Sequence, residues 1–285
     1  MRALHRKLLR DLYRLKGQVL TIALVVACGI GSYIALRGNY TSLQNARSAF
    51  YARQRFADIF VRLERAPRTL LPALETIPGV ERVDTRVVEP ALLPIEDISE
   101  PVRATVMSLP DHESLNAIHL HDGRRPEPGH NDEVVVLRGF AQAHHYAPGD
   151  RIPAVINGKK RTLRVVGTAT SPEYVIGITG GAVTADPSRF AVLWMNTEAV
   201  AAAYRMESSF NSLAVSLGPD GSVPEVLVTL DRILEPYGGT GAFERARQLS
   251  HRILDGELQQ LRGISTFLPL IFLGVAALLV NVVLS

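Results

Sequence analysis

The sequence predicts an α+β extracytoplasmic domain of two subdomains, carried on two transmembrane α-helices that continue as helical stalks. Three observations lead to this fold class. Uncharged apolar runs occupy residues 18–36 and 264–285, near the two ends of a sequence of 285 residues. As a helix, each run would be roughly 30 Å long, which matches the hydrocarbon core of a bilayer. The polar region between them alternates between strand-like and helix-like patterns.

Residues 1–17 form a basic arm that predicts the orientation of the first span. The arm contains six basic residues and one acid, Asp11, and its leucines recur at helical spacing. Short basic flanks remain in the cytoplasm. We therefore expect the N-terminus on the cytoplasmic side of a bacterial inner membrane and residues 37–263 on its outer side. The arm is either an amphipathic helix on the inner leaflet or an extension of the span. The basic residues are Arg2, Arg6, Lys7, Arg10, Arg14 and Lys16.

The net charge of +3 is small, and the excess of basic residues is concentrated in this arm. We therefore predict contact with anionic membrane lipid and no nucleic-acid partner, since basic and aromatic residues are not interleaved elsewhere. The single cysteine, Cys28, lies inside the first apolar run, so an intrachain disulfide is excluded. The residues before Cys28 also fit the loose pattern of a lipidated cysteine. The residues after it stay apolar, which favours a retained helix.

Small residues recur at every fourth position of the first span. Close approach of backbones drives helix association in lipid, so this stripe predicts a packing face for another helix. The alternative is that alanine and glycine are simply frequent in membrane helices. The helix-packing candidates are Ala23, Ala27, Gly31 and Ala35, and Gly29 and Ser32 widen the same groove.

The region between the spans is predicted to contain two stalks and two subdomains. Local signals within it include a strand over residues 133–137 and a β-hairpin turn at Asn157-Gly158. Asn196 is placed to cap a helix that runs to Tyr204. A further strand is predicted over residues 174–178. The predicted boundaries are stalks at 37–56 and 242–263, a membrane-proximal α+β subdomain at 57–111 plus 189–241, and an inserted β-rich subdomain at 112–188.

The sequence contains no catalytic signature. It has no nucleotide-binding P-loop, no H-E-x-x-H zinc motif and no G-x-S-x-G nucleophile elbow. Histidines cluster loosely, and His119 and His121 would chelate a metal if they shared a strand, but their surroundings are typical of a loop. We predict surface histidines, no metal, no cofactor and no enzymatic activity. The other clustered histidines are His112, His130, His144 and His145.

One segment and the overall layout resemble the FtsX-like/MacB-like permease family, the membrane subunits of a class of ATP-binding-cassette (ABC) transporters. The layout is a basic arm, a span, a large extracytoplasmic domain and a second span with a Phe267-Leu268-Pro269 start. The segment resembles the family's run of G-R, a valine-rich strand, G-D, N-G and a closing glycine. Its residues here are Gly123-Arg124-Arg125, Asn131 to Leu137, Gly149 to Ile152, Asn157-Gly158 and Leu163 to Gly167.

The resemblance implies a permease whose partners are an ABC-type ATPase and either further permease helices or a second permease copy. Family members have at least four spans, so the sequence to Ser285 is expected to be a fragment, a split subunit or a truncated frame. A membrane-tethered sensor or scaffold remains the alternative, and a membrane-anchored hydrolase is disfavoured by the missing motifs. The resemblance does not choose a substrate among lipoproteins, lipids, antibiotics and peptides.

Overall fold

The computed structural model describes residues 16–95, 98–112, 114–175 and 186–284. The predicted basic arm therefore lies almost entirely outside the described residues. The chain divides into a helical unit, made of residues before Phe50 and after Ile253, and a domain at Phe50–Ile253. Each is described by itself.

The helices of the described residues, in chain order, are α1 (Lys16–Arg53), α2 (Leu71–Glu75), α3 (Arg138–Ala143), α4 (Thr197–Tyr204), α5 (Val223–Leu234) and α6 (Leu249–Leu284). The strands are β1 (Ile59–Pro67), β2 (Val80–Arg86), β3 (Val88–Leu93), β4 (Val102–Leu109), β5 (His119–Gly123), β6 (Glu133–Leu137), β7 (Arg151–Ile156), β8 (Lys159–Thr170), β9 (Ala191–Asn196), β10 (Ser209–Leu217) and β11 (Phe243–Glu244).

The helices α1 and α6 are both long and apolar enough to cross a membrane. The most apolar stretch of each has a mean hydropathy of 2.3, and only 6% and 17% of these stretches are buried within the molecule. A core helix of a soluble domain would be mostly buried, so these exposed apolar surfaces are typical of helices that cross a membrane. The fold is thus an α+β domain bordered by two candidate transmembrane helices, as predicted from sequence.

The first sheet of the domain is antiparallel, with strand order β11-β1-β10-β2. The helix α5 packs against it with a buried stripe that repeats every four residues, as an amphipathic helix requires. Burial of each such side chain contributes about 1.5–3 kcal/mol. The shared core contains Ile59, Val61, Leu63, Leu74, Phe210, Leu213, Val215, Val226, Leu230 and Leu234.

The second sheet has strand order β5-β8-β6-β9-β4-β3-β7, and β7 also pairs with β8. This extra pairing closes six strands into a ring, in which each strand has a neighbour on both sides. The ring consists of β8, β6, β9, β4, β3 and β7. The strand β5 pairs with residues 167–170, at the C-terminal end of β8. The predicted strand at 133–137 is present as β6. The Asn157-Gly158 turn connects β7 to β8, with φ of 46° and 74°.

The predicted subdomain boundaries at 112 and 188 are wrong for the sheets. The strands β3, β4 and β9 belong to the second sheet, although the prediction placed them in the first subdomain. The chain crosses between the sheets at Val87, a buried residue that alone separates β2 from β3. The Ser108 side chain accepts from the Val87 N–H at 2.9 Å, and the Asn211 side chain accepts from the Val88 N–H at 2.8 Å. The crossing contains no turn residue, so no sequence pattern marks it.

Three local predictions also need correction. Residues 242–248 are not part of a stalk helix, since they form β11 and a 3₁₀ turn at Arg245–Arg247. Residues 172–174 form a 3₁₀ turn rather than the start of a strand, and the rest of that predicted strand, 176–178, lies outside the described residues. His119 lies in β5 and not in a loop. The predicted cap is confirmed, because the Asn196 side chain accepts from the Glu198 N–H at 2.9 Å.

A buried carboxylate, Glu133, ties β6 to its neighbours. Arg124 donates two hydrogen bonds to it, at 2.6 and 2.7 Å. Arg164 donates a third, and the Glu127 backbone N–H a fourth at 2.9 Å. The Arg124 hydrogen bonds, helped by the Glu127 N–H and the charge of Arg164, lower the pKa of Glu133 from 4.5 to about 2 despite burial.

This shift makes the stability of the domain pH-dependent. A carboxylate with a depressed folded-state pKa stabilises the fold above its ordinary pKa, and the contribution is lost as pH falls from about 4.5 to about 2. We expect Glu133→Gln to lower the free energy of unfolding by about 1–3 kcal/mol at pH 7 and to flatten this acid-induced loss. The fluorescence of Trp194, the single tryptophan, reports unfolding of the full chain in detergent.

The matched control is Glu127→Gln. The side chain of Glu127 is 55% exposed, so its loss should change stability by no more than about 0.5 kcal/mol. Equal effects of the two substitutions would contradict the assignment.

Candidate functional site at the ends of the two long helices

The two long helices are joined in sequence to neighbouring strands of the first sheet, α1 to β1 and α6 to β11. The helix α1 ends at Arg53, shortly before β1 begins at Ile59. The helix α6 begins at Leu249, directly after β11 and the 3₁₀ turn, and β11 pairs with the first two residues of β1. A candidate functional site therefore lies where these segments meet.

Arg245 is the main polar link at this junction. Its guanidinium donates to the carbonyl oxygens of Phe56 at 2.5 Å and Ala57 at 2.8 Å, and to the Asp58 carboxylate at 2.6 Å. Asp58 also accepts from the Leu217 N–H at 3.0 Å, which brings in β10. The planar guanidinium suits this task because it presents several donors in fixed directions. Arg245 thereby clamps the connection between α1 and β1 to the segment that precedes α6.

Aromatic rings form a continuous contact through the same junction. Tyr51, near the end of α1, lies 4.6 Å from Phe56 and 5.7 Å from His251 of α6, measured between ring centroids. Phe56 lies 5.7 Å from Phe60, which stacks on Phe243 of β11 at 5.7 Å. Tilted and stacked pairs at these distances add about 0.5–1.5 kcal/mol each beyond burial. The last turn of α1 and the first turn of α6 therefore pack against each other and against the first sheet.

A buried ion pair connects the two sheets near this point. The Arg86 guanidinium of β2 donates to Glu173 at 2.5 and 3.1 Å, and the two side chains are only 6% and 8% exposed. Burial alone would lower the pKa of Arg86, but the Glu173 charge and hydrogen bond outweigh it and raise that pKa. Breaking such a pair by removing one partner typically costs about 3–5 kcal/mol, because the other charge stays buried.

The start of α6 is bonded to the same region. The Gln248 side chain donates to the Glu173 carbonyl at 2.9 Å, and the Ser250 hydroxyl accepts from the Val175 N–H at 2.9 Å. The segment that begins α6 thus contacts the first sheet through Arg245 and the second-sheet side through Gln248 and Ser250. A displacement of the α6 end would act on both sheets.

The predicted helix-packing residues do not form the contact between α1 and α6. Ala23, Ala27, Gly31 and Ala35 are all exposed, whereas Gly29 is buried. A Cβ atom at Gly29 would lie 3.1 Å from the Phe272 Cβ. On α6, the atoms nearest to this position also include the Pro269 carbonyl oxygen at 3.6 Å and the Leu273 side chain at 3.8 Å. The predicted stripe lies on another face of α1, so its use by a further helix stays a prediction.

Among the described residues, His119 and His121 have their rings in contact with each other. The rings of His119 and His121 are 4.8 Å apart on β5, and the Arg138 guanidinium lies 2.6 Å from His121 Nδ1. Burial, then the Arg138 charge, lowers the pKa of His121. The positive charge of Arg138 beside the ring disfavours the binding of a metal ion to His121.

Among the described residues, one group has ligand atoms close enough for a metal: Glu127, His130 and Glu133, within 4.8 Å of one another. The oxygens of Glu133 already accept from two guanidinium groups. We therefore interpret this group as a structural ion cluster.

The fold and the junction define an α+β domain whose two ends are candidate transmembrane helices. No family model and no curated protein matches the sequence. The periplasmic region of MacB from Actinobacillus actinomycetemcomitans is similar in structure, with a TM-score of 0.43, 12% identity and coverage of 73% of this chain and 95% of that one. The extracellular domain of the noncanonic ABC-type transporter YknZ from Gram-positive bacteria gives a TM-score of 0.42 and 10% identity, over 66% and 98%.

The sequence patterns do not indicate the residues of the junction. The predicted stalk at 242–263 places Arg245 in a helix, and no pattern points to Arg86 or Glu173. The only local signal near Arg245 is weak: Gly238, Gly239 and Gly241 precede it closely, and glycines disfavour a helix start. The Arg86–Glu173 pair has no sequence signal, because 87 positions separate its members.

Removal of the Arg245 side chain should loosen the junction. We expect Arg245→Ala to lower the free energy of unfolding by about 2 kcal/mol, because two carbonyl oxygens and the Asp58 carboxylate lose a charged donor. Amide hydrogen exchange at residues 56–60 and 243–253 should accelerate. The matched control is Arg247→Ala, at an exposed residue of the same 3₁₀ turn. Equal exchange in the two variants would contradict the clamp.

The two glycines of α1 give a second test. Gly29→Leu should separate α1 from α6 and lower the melting temperature followed by circular dichroism, since Phe272 occupies the space. Gly31→Leu should leave this contact unchanged, because nothing lies within 4 Å of a Cβ there. If the exposed stripe packs against another copy, Gly31→Leu should also reduce oxidative crosslinking through the exposed Cys28. Unchanged crosslinking would reject the stripe as a packing face between copies.

Proposed function

We propose that this chain is the N-terminal part of a permease subunit of an ATP-driven transporter. In this proposal α1 and α6 cross a bacterial inner membrane, with the N-terminus in the cytoplasm and the domain outside. A partner ATPase moves the helices, and the domain uses that movement for export or for mechanical signalling across the membrane. The substrate is left open.

The attachment of the two helices to neighbouring, paired strands carries the proposal. A tether needs only a covalent link between span and domain, and a loose linker would serve it. Here the α1 end is fixed to β1 through Arg245 and the aromatic contacts, and the α6 start is fixed to β11, Glu173 and Val175. Such an arrangement would transmit a relative displacement of the helix ends into the domain, as hinge and shear motions do elsewhere.

The sequence supports two parts of the proposal, the orientation of the chain and the separate ATPase subunit. The basic arm favours a cytoplasmic N-terminus. The sequence contains no P-loop, so nucleotide hydrolysis would belong to a separate subunit. Further permease helices or a second copy would complete the membrane part, and the exposed small-residue face of α1 is the surface we assign to them.

Copurification tests the partner. The full-length gene product, purified from its native membranes, should retain an ATPase. Trapping that ATPase with ATP and vanadate should change the rate at which a maleimide labels Arg53→Cys in a Cys28→Ser background. The control is Val155→Cys, on the β7–β8 hairpin. Its rate of labelling should be the same with and without ATP and vanadate. A product that retains only nucleotide-independent partners would favour a sensor or scaffold instead.

Topology gives a separate prediction. An impermeant maleimide should label Asn157→Cys in intact spheroplasts, because the β7–β8 turn is exposed and expected outside. Lys16→Cys should label only after the membrane is broken. The reverse pattern would overturn the orientation.

A further inference from the structure

A cavity of about 430 Å³ lies between the two sheets, beside the start of α6. Sites for small ligands typically have volumes of roughly 300–1,000 Å³ and walls that are mostly apolar with a few polar groups. The walls here fit that description. The apolar part consists mainly of four aromatic rings and one thioether, those of Phe60, Tyr174, Phe190, Phe243 and Met107.

Several of the polar groups that line this cavity already have partners. The Glu173 carboxylate, which lines the cavity, accepts from both terminal nitrogens of Arg86. The Gln248 amide donates to the Glu173 carbonyl, and the Ser250 hydroxyl accepts from Val175. These groups therefore have little capacity left for a ligand.

Two guanidinium groups at the cavity differ from these. Arg62 and Arg247 both line it and are exposed, and neither has a carboxylate within ion-pair distance in the part of the chain that the structure describes. Guanidinium groups bind carboxylates and phosphates with two parallel hydrogen bonds. Two arginines without acidic partners, next to an aromatic chamber, form a site that is positive at the rim and apolar inside.

The Tyr174 hydroxyl adds a neutral donor. Burial, with a contribution from the Glu173 charge, raises the pKa of Tyr174 to about 12, although the nearby Arg62 charge opposes the shift. The hydroxyl therefore stays protonated at neutral pH and can donate to an anionic oxygen.

We propose that this cavity binds an anionic amphiphile, with its single carboxylate or phosphate head at Arg62 and Arg247 and its apolar chain against the aromatic rings. Charge complementarity selects the head, and the lining selects the chain. The proposal does not depend on the chain being a permease, and it is tested without any partner.

Trp194 provides the readout. It is the single tryptophan of the chain, it is buried, and its ring lies 6.4 Å from that of Tyr174, which lines the cavity. A brominated chain inside the cavity would quench this tryptophan by close approach. The full chain, held in an amphipathic polymer to avoid detergent alkyl chains, is titrated with dibromododecanoic acid and with its methyl ester.

The acid should quench Trp194 saturably and more tightly than the ester. Arg62→Ala combined with Arg247→Ala should weaken binding of the acid about tenfold and leave the ester unchanged. Thr105→Phe, which fills the cavity wall, should abolish saturable quenching. The control Thr162→Phe, at an exposed position of β8, should not change it. Retained tryptophan emission and circular dichroism in each variant identify folded protein.

Competition identifies the head group. Displacement of the brominated acid by dodecanoate or by dodecyl phosphate supports the proposal. The stronger competitor identifies whether the site prefers a carboxylate or a phosphate head group. Displacement by dodecanol at the same concentration would overturn the anionic selectivity. Linear quenching that is equal in wild type and Thr105→Phe would show partition into the polymer alone and would overturn the site.

Discussion

The strand β1 holds the domain and the helix ends together. It lies between β11 and β10 in the first sheet, and its N-terminal end receives the chain from α1. The carboxylate of Asp58, just before β1, accepts from Arg245 on one side and from the Leu217 N–H of β10 on the other. Because one carboxylate serves both neighbours, the position of the segment before α6 is coupled to the register of the sheet core.

The coupling continues from the first sheet to the second. The strand β10 pairs with β2, and β2 crosses at Val87 into β3 without a turn. The Asn211 side chain of β10 accepts from the Val88 N–H and donates to the Val88 carbonyl, at 2.8 and 3.0 Å, so the crossing is fixed on the first-sheet side. The Arg86–Glu173 pair then spans the two sheets in a buried environment. A change at the helix ends has a short, hydrogen-bonded route to the ring of strands.

The segment that resembles the permease family has a structural explanation. At Gly123, with φ of 74°, a Cβ atom would lie 2.1 Å from the Val166 carbonyl oxygen, and at Gly167 it would lie 2.6 Å from that of Arg124. Two backbones cross there too closely for any side chain. The Arg124–Glu133–Arg164 cluster sits beside this crossing and joins β6 to β8. The resembling residues thus have structural roles, because they hold β5 and β6 against β8.

Features set by local chemistry were predictable from the sequence, whereas pairings distant in sequence were not. The apolar spans, the Asn157-Gly158 turn and the Asn196 cap depend on a few adjacent residues, and the structure has all of them. The sheet membership of β3, β4 and β9 depends on distant partners, and Val87 gives no local sign of the crossing. The same distinction between local and distant contacts applies to the predicted helix-packing residues. A stripe of small residues indicates a helix face suited to close packing, but it does not determine which partner uses it, and Gly29 rather than Gly31 meets α6.

The closure of the second sheet has a consequence for the way copies of this chain meet one another. Unpaired strand edges recruit other chains and lead to aggregation. In the ring each of the strands β8, β6, β9, β4, β3 and β7 is paired on both sides, with the last joint made by Ala91 opposite Ile156 and Leu92 opposite Val155. This short joint hides the final edges only when the hairpin has docked. A molecule in which this joint is open exposes the edges of β3 and β7, so edge-to-edge association between copies is expected in that state and not in the closed ring.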